Sequence, residues 1–165
     1  MKMRTSGAAA VVAAAALAMG AVAAMAGGSS VATQLNGYRE VPAISTAGGG
    51  SFRAQIDGDE LRYRLSYDDL EGGAVLFAHI HFGRPATNGG VIAFLCGGGD
   101  KPTCPPSGSV EGVITADDVI GPTDQGIDPG EFGELVRAIK RNATYVNVHT
   151  ETYDTGEVRG NLIDS

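Results

Sequence analysis

The sequence predicts an all-β domain with antiparallel strands, arranged as a sandwich or barrel, and one short helix. Apolar and polar residues alternate in most segments after residue 27, as in strands with one buried face. Gly, Pro, Asn and Asp cluster between these segments, where turns are expected. A single segment, residues 131–141, instead repeats its apolar residues at helical spacing.

The first 26 residues predict a secretory signal peptide. Lys2 and Arg4 form a short basic start, an apolar Ala-rich run covers residues 8–24, and Ala24-Met25-Ala26 provides a small-x-small cleavage site. The alternative is a membrane anchor, since the run has about the minimum length of a span, but the cleavage site favours the signal peptide. We therefore expect one mature domain, residues 27–165, secreted to the periplasm or the extracellular space without a membrane span.

The chain is acidic, and this argues against two classes of partner. It has 12 Lys and Arg against 19 Asp and Glu, a net charge of −7. Loss of Lys2 and Arg4 with the signal peptide leaves 10 basic residues against 19 acidic ones, a net charge of −9. Nucleic acids and anionic lipids favour clustered Lys and Arg. We therefore expect no nucleic-acid partner.

Eight segments are predicted to be strands. The clearest are residues 51–57 and 60–67, where apolar side chains alternate with polar ones, and Asp57-Gly58-Asp59 between them predicts a hairpin turn. The eight predicted strands cover residues 32–41, 51–57, 60–67, 74–82, 90–96, 109–115, 144–150 and 157–163. Short strands separated by turn signals are typical of a sandwich or barrel.

Residues 131–141 predict an amphipathic helix. Its apolar side chains fall at positions i, i+3, i+4 and i+7, namely Phe132, Leu135, Val136 and Ile139. Glu131 and Glu134 lie in its early turns and Lys140 and Arg141 at its end, as the helix dipole favours. We expect this helix to close one end of the β structure.

Cys96 and Cys104 are the only cysteines, and they predict a disulfide. Two cysteines in an exported chain, separated by a short flexible loop, favour a covalent bridge. The alternative is a redox or metal pair, but seven intervening residues do not match a CxxC motif. A loop of this size is expected to stabilise the domain by about 2.5 kcal/mol.

Several motifs resemble those of the chordin-domain (CHRD) family, over about residues 32–163. They are LNGYREVP at 35–42, AHIHFG at 78–83 with GGVI at 89–92, LVRA at 135–138, YVNVHT at 145–150 and GEVRGNL at 156–162. The resemblance implies an immunoglobulin-like β-sandwich of the bacterial secreted single-domain type. It implies no established reaction, and growth-factor binding by animal chordin depends largely on other modules.

The three histidines, His79, His81 and His149, form the candidate site. Strand alternation places His79 and His81 on the face opposite Ala78 and Ile80, and His149 on the face opposite Val148. Residues i and i+2 of a strand project in parallel about 7 Å apart, so this pair and a third imidazole from a neighbouring strand can bind one ion. Neutral imidazole suits copper or zinc.

Residues 77–83 also resemble the copper-binding strand of copper–zinc superoxide dismutase, a second β-sandwich. On that pattern His79, His81 and His149 would bind copper, and Arg159 or Arg84 could guide an anion. No histidine is left for the bridging or zinc ligands, and the cysteine spacing differs. The fold expectation is therefore an immunoglobulin-like or superoxide-dismutase-like sandwich.

Two other roles for the histidines stay open: a polar network that organises the outer face of the sheet, and acid–base catalysis. No nucleophile motif accompanies them, so no catalytic residue is predicted. Asn147, Arg159 and Glu157 are candidate supports for the ligands, although a surface salt bridge is the preferred interpretation of Glu157 and Arg159. A shared metal requires imidazole nitrogens within about 4 Å of one another.

Two functions follow from the sequence. The first is a non-enzymatic secreted module that binds an unidentified protein or cell-envelope ligand. The alternative is a copper- or zinc-binding protein that uses the three histidines and, with copper, has the capacity for redox chemistry.

Overall fold

A computed structural model describes residues 28–164 of the chain; the signal peptide predicted for residues 1–26 lies outside them. Within the described residues the chain forms eight strands and one α-helix. In chain order these are β1 Ser29–Asn36, β2 Gly49–Asp57, β3 Glu60–Asp68, β4 Val75–Phe82, β5 Val91–Cys96, β6 Gly108–Ile114, α1 Phe132–Lys140, β7 Thr144–Thr150 and β8 Val158–Asp164. No helix within residues 28–164 is long and apolar enough to cross a membrane.

The strands form one antiparallel sheet in the order β5-β4-β7-β8-β1-β2-β3-β6. The two edge strands, β5 and β6, approach each other, so the sheet curls into a nearly closed barrel around one core. Tyr63 on β3 donates a 2.7 Å hydrogen bond to the Leu95 carbonyl on β5 and so ties the two ends of the sheet together. The all-β prediction is confirmed, and the specific type of sandwich stays a prediction.

The hairpin of β2 and β3 follows its sequence pattern. Alternate residues of both strands are buried, beginning with Phe52 and Leu61 and continuing at every second position. The register pairs Asp57 with Glu60, leaving a two-residue turn in which Gly58 has φ 57°. A positive φ suits glycine because it has no Cβ. The predicted turn is therefore confirmed.

The first strand ends earlier than its sequence predicts. β1 stops at Asn36, and Gly37–Arg39 forms a 3₁₀ turn whose Gly37 carbonyl accepts hydrogen bonds from the amides of Glu40 and Ile44. The prediction of strand over residues 37–41 is wrong because the Gly37 carbonyl bonds to amides of its own segment. The turn directs Glu40 into the protein, where it is 5% exposed.

The predicted helix and disulfide are both present. The helix α1 buries Phe132, Leu135 and Ile139 in the core and packs against β8. The Cys96–Cys104 disulfide closes the loop that follows β5, and both cysteines are buried. These features anchor β5 and the segment before β7, the two regions that flank the histidine-bearing strands.

Reduction of the Cys96–Cys104 disulfide is expected to lower the free energy of unfolding by about 2.5 kcal/mol, because it releases the closed loop in the unfolded chain. Urea unfolding of residues 27–165 with and without reductant measures the loss. The Cys96→Ala/Cys104→Ala variant is the control, since reductant has nothing to cleave in it. An unchanged midpoint for the native domain after complete reduction would contradict the prediction.

Candidate metal centre

The site is built on the pairing of β4 with β7. The register places His79 opposite Asn147, His81 opposite Tyr145 and His149 opposite Phe77. Between these positions Ala78, Ile80, Val146 and Val148 point into the core, and each is fully buried. Because side chains alternate across a strand, all three histidines project from the outer face of the sheet, as their sequence positions predict.

The outer face is covered rather than open to water. Each of the three histidines is only 7% exposed, although none belongs to the hydrophobic core. The ring of Phe94 lies edge-on to His79 at a centroid distance of 4.5 Å, and Phe77 stacks on the same imidazole at 5.7 Å. Tyr145 stacks on His81 with ring centroids 4.7 Å apart and planes 3° apart. Aromatic rings therefore shield the three histidines from solvent.

The three imidazoles converge, but less tightly than a bound metal requires. One nitrogen from each ring lies within 4.8 Å of the others, which exceeds the separation of about 4 Å expected from the sequence analysis. Tetrahedral bonds of about 2.1 Å place ligand nitrogens about 3.4 Å apart. The widest pair must therefore approach by about 1.4 Å when an ion binds.

Backbone carbonyls fix the protonated nitrogen of two rings. His81 Nδ1 lies 2.9 Å from the Gly89 carbonyl oxygen, and His149 Nδ1 lies 2.8 Å from that of Asp154. Because a carbonyl only accepts hydrogen bonds, the hydrogen of each neutral ring is on Nδ1 and the lone pair is on Nε2. His81 Nε2 is buried and has no hydrogen-bond partner among the described residues. A ligand histidine held through its other nitrogen has this same arrangement.

His149 Nε2 is the centre of the polar contacts in the site. His79 Nδ1 lies 3.1 Å away and donates a hydrogen bond to the Nε2 lone pair. Asn147 Oδ1 lies 2.9 Å from the same atom, but an amide oxygen only accepts, so it forms no hydrogen bond with this lone pair. Asn147 is 2% exposed, and its side-chain nitrogen donates a hydrogen bond to the Thr155 carbonyl. Metal binding at His149 would replace the hydrogen bond between the two histidines.

The environment keeps all three rings neutral. Burial lowers the pKa of His79 to about 3, with a further contribution from His149 and His81 beside it. Burial also lowers the pKa of His81 to about 4, and it lowers the pKa of His149. Neutral imidazole is the form that binds metals, so protons do not compete for these nitrogens near pH 7.

A comparison with protein-family models matches the CHRD domain over residues 31–162, which include every residue of the site. The chain belongs to the CHRD domain family. The resemblance found in the sequence motifs is thereby confirmed. No curated protein matches the chain in a second comparison. Family membership identifies the domain, and its chemistry is argued from the geometry of the site.

Arg159 lies at the edge of the site in this CHRD domain. Its guanidinium carbon is 3.4 Å from the centroid of the Tyr145 ring, which in turn stacks on His81. The same guanidinium donates hydrogen bonds to the carbonyl oxygens of Arg84 and Thr87. Arg159 is fully buried, so its role is to hold the loop after β4 over the histidine cluster.

Glu157 does not join the histidines. Its carboxylate is fully buried and accepts hydrogen bonds from the hydroxyls of Thr46 and Thr150 and from the amides of Glu71 and Gly72. The surface salt bridge considered for Glu157 and Arg159 is wrong, because both side chains are buried and bonded to separate loops. Glu157 instead anchors the two loops that enter β2 and β4.

Glu40 is a buried acid that the sequence analysis missed. A Cβ placed on Gly156 would lie 2.4 Å from Glu40 Oε1 and 2.6 Å from Asn147 Nδ2, so both side chains meet above this glycine. Burial raises the pKa of Glu40 to about 7, against the opposing effects of Arg159 and Asn147. In the sequence, the one indication of this buried acid was its position in the motif at residues 35–42, and that segment has the pattern of a strand.

The Glu40→Gln variant is expected to gain stability relative to the native CHRD domain as pH rises. Burial raises the folded-state pKa of Glu40 to about 7 from an ordinary value of 4.5. Folding therefore takes up a proton between these values, and the contribution of Glu40 to stability is lost as pH rises from 4.5 through 7. This difference in pKa corresponds to a loss of free energy of unfolding on the order of 3 kcal/mol.

Urea unfolding of both metal-free proteins from pH 4.5 to 8 measures this difference. The histidines are common to both proteins, so their titration cancels. Asp59→Asn, at an exposed turn, controls for the loss of one carboxylate. The prediction would be contradicted if the free energies of unfolding of the native and Glu40→Gln proteins differed by the same amount at every pH in this range.

Proposed function

We propose that this CHRD domain binds one copper or zinc ion through His79, His81 and His149. The observation that carries the proposal is the convergence of three neutral imidazoles, with one nitrogen of each within 4.8 Å of the others. Imidazole nitrogen is a preferred ligand of both metals. Three protein ligands leave a fourth position for water or a small molecule, and copper there would add the capacity for redox chemistry.

One buried lone pair of the cluster is available to a cation. His81 Nε2 is buried without a hydrogen-bond donor among residues 28–164, which costs about 1–3 kcal/mol. A metal ion bound to this lone pair removes that penalty. The Gly89 and Asp154 carbonyls already orient two of the rings, so the change required is the approach of the widest nitrogen pair by about 1.4 Å.

A second candidate function is a non-enzymatic binding module without a metal. The favouring observation is the hydrogen bond between His79 and His149, which pairs these two side chains without an ion. The 4.8 Å spread of the nitrogens agrees with this role. The partner would then be a protein or cell-envelope ligand.

Metal analysis distinguishes the two functions. Residues 27–165, purified without a His tag, exposed to Cu²⁺ or Zn²⁺ and desalted, are expected to retain one ion per chain. His81→Ala and His149→Ala each remove a ligand and should weaken binding by more than about 100-fold, beyond what loss of an outer-shell partner costs. Phe94→Leu is the matched control, because it alters the packing on His79 and keeps all three imidazoles.

Circular dichroism of each metal-free variant separates a lost ligand from a lost fold. Metal loss in the histidine variants, with retention in Phe94→Leu, supports the metal site. Equal metal content in the native, His81→Ala and His149→Ala proteins would end the proposal and leave the second candidate.

We also propose that the domain is exported. The basic start, the apolar run and the small residues at Ala24 and Ala26 support a cleaved signal peptide. The disulfide agrees with this, since disulfides persist in oxidising compartments.

Expression of the whole chain in a bacterium is expected to give a periplasmic or extracellular protein that begins at Gly27, as measured by intact mass. Ala26→Leu enlarges the residue before the cleavage point and should accumulate the uncleaved precursor. Recovery of the native protein inside the cell with residues 1–26 attached would contradict export.

A further inference from the structure

A second site is suggested by a cavity of about 500 Å³ beside the C-terminal end of α1. It lies between the loop that follows β4 and the helix, and the three histidines do not line it within residues 28–164. Its polar wall carries Arg84, Arg137 and Arg141. Its apolar wall includes Phe82, Ile127 and Ala138. Positive charge and apolar surface therefore face one space.

The charged side chains that line the cavity are mainly basic, whereas the chain as a whole is acidic. Residues 28–164 contain 10 of the 12 Lys and Arg, since Lys2 and Arg4 precede them, and three of these 10 line the cavity. Glu134 is the one carboxylate in its lining among the described residues, and it pairs with Arg137 at 3.0 Å. Arg84 and Arg141 form no ion pair within that part of the chain. Two guanidinium groups are thus left for a ligand.

A fourth cation lies behind the cavity wall. The fully buried Arg159 donates hydrogen bonds to the carbonyls of Arg84 and Thr87 and to Asn88 Oδ1, and all three of these residues line the cavity. Arg159 makes no ion pair among the described residues, so its charge adds to the positive potential there. These bonds also fix the loop before any ligand arrives, which lowers the entropic cost of binding.

The helix dipole explains only part of this arrangement. Basic residues in the last turn of a helix stabilise it, which accounts for Arg137 and Arg141. The helix dipole does not account for Arg84, which comes from the loop that follows β4 and not from the helix. The convergence of arginines from two elements points to a ligand between them.

We infer that this cavity binds a small organic anion whose carboxylate or phosphate group contacts Arg84 and Arg141. Arginine suits both oxyanions because its planar guanidinium donates paired hydrogen bonds. The volume of about 500 Å³ falls within the range of small-molecule sites and far exceeds one inorganic anion. The body of the ligand lies along Phe82, Ile127 and Ala138. This site does not depend on metal binding at the histidines.

Isothermal titration of residues 27–165, stripped of metal by chelating resin and kept at constant ionic strength, tests the inference. The probes are benzoate, phenyl phosphate, inorganic phosphate and neutral benzyl alcohol. We expect saturable binding of benzoate or phenyl phosphate, and the tighter of the two identifies the preferred oxyanion. Inorganic phosphate is expected to bind at least about tenfold more weakly, because it lacks a body to bury on the apolar wall.

Arg84→Gln and Arg141→Gln should each weaken binding at least about tenfold, the loss of one charge-assisted hydrogen-bonding group. Arg53→Gln is the matched control, since it removes the same charge from an exposed position on β2 and should leave the affinity unchanged.

Three results would overturn the inference: equal binding of benzyl alcohol, equal losses in Arg53→Gln and Arg141→Gln, or no saturable heat with any probe up to about 10 mM. Equal affinity for inorganic phosphate and phenyl phosphate would overturn the organic class of the ligand.

Discussion

The antiparallel register between β4 and β7 is the constraint on which the rest of this domain depends. Ile80 opposite Val146 and Ala78 opposite Val148 fill the core from adjacent strands. A slip of one residue would bring imidazoles into the core and expose these apolar side chains, so hydrophobic burial fixes the register. The same register leaves the outer face of both strands to polar residues. The histidine cluster is therefore positioned by the core on the other side of the sheet.

Aromatic rings and loops that pack on the outer face set the protonation state of the histidines. Aromatic rings and loops exclude water from the histidines, so burial holds them in the neutral form that binds metals. Arg159 links this cover to the arginine-lined cavity, because one face of its guanidinium contacts Tyr145 while its hydrogen bonds hold the loop that includes Arg84 and Thr87. One buried cation thus supports both the histidine cluster and the proposed anion site.

Two buried glutamates, Glu40 and Glu157, differ in the hydrogen-bond donors that surround their carboxyl groups. Glu157 receives four hydrogen bonds from hydroxyl and amide donors and fixes two loops. Within residues 28–164 Glu40 interacts with fewer donors, Asn147 and the Val41 backbone, and burial raises its pKa to about 7. Carboxylates are stabilised in a protein interior only when hydrogen bonds replace their lost hydration. Glu157 is therefore a structural anchor, whereas Glu40 is a proton-binding group beside Asn147.

Local pattern determined the strands, the helix, the disulfide and the side of the sheet on which His79, His81 and His149 lie, because each follows from side-chain periodicity or short spacing. Tertiary structure alone decided the closure of the sheet, the burial of the histidines and the separation of their nitrogens. It also brought Glu40 to Asn147 and Arg84 to Arg141. These contacts join residues far apart in the chain through loop packing, which leaves no periodic trace in the sequence.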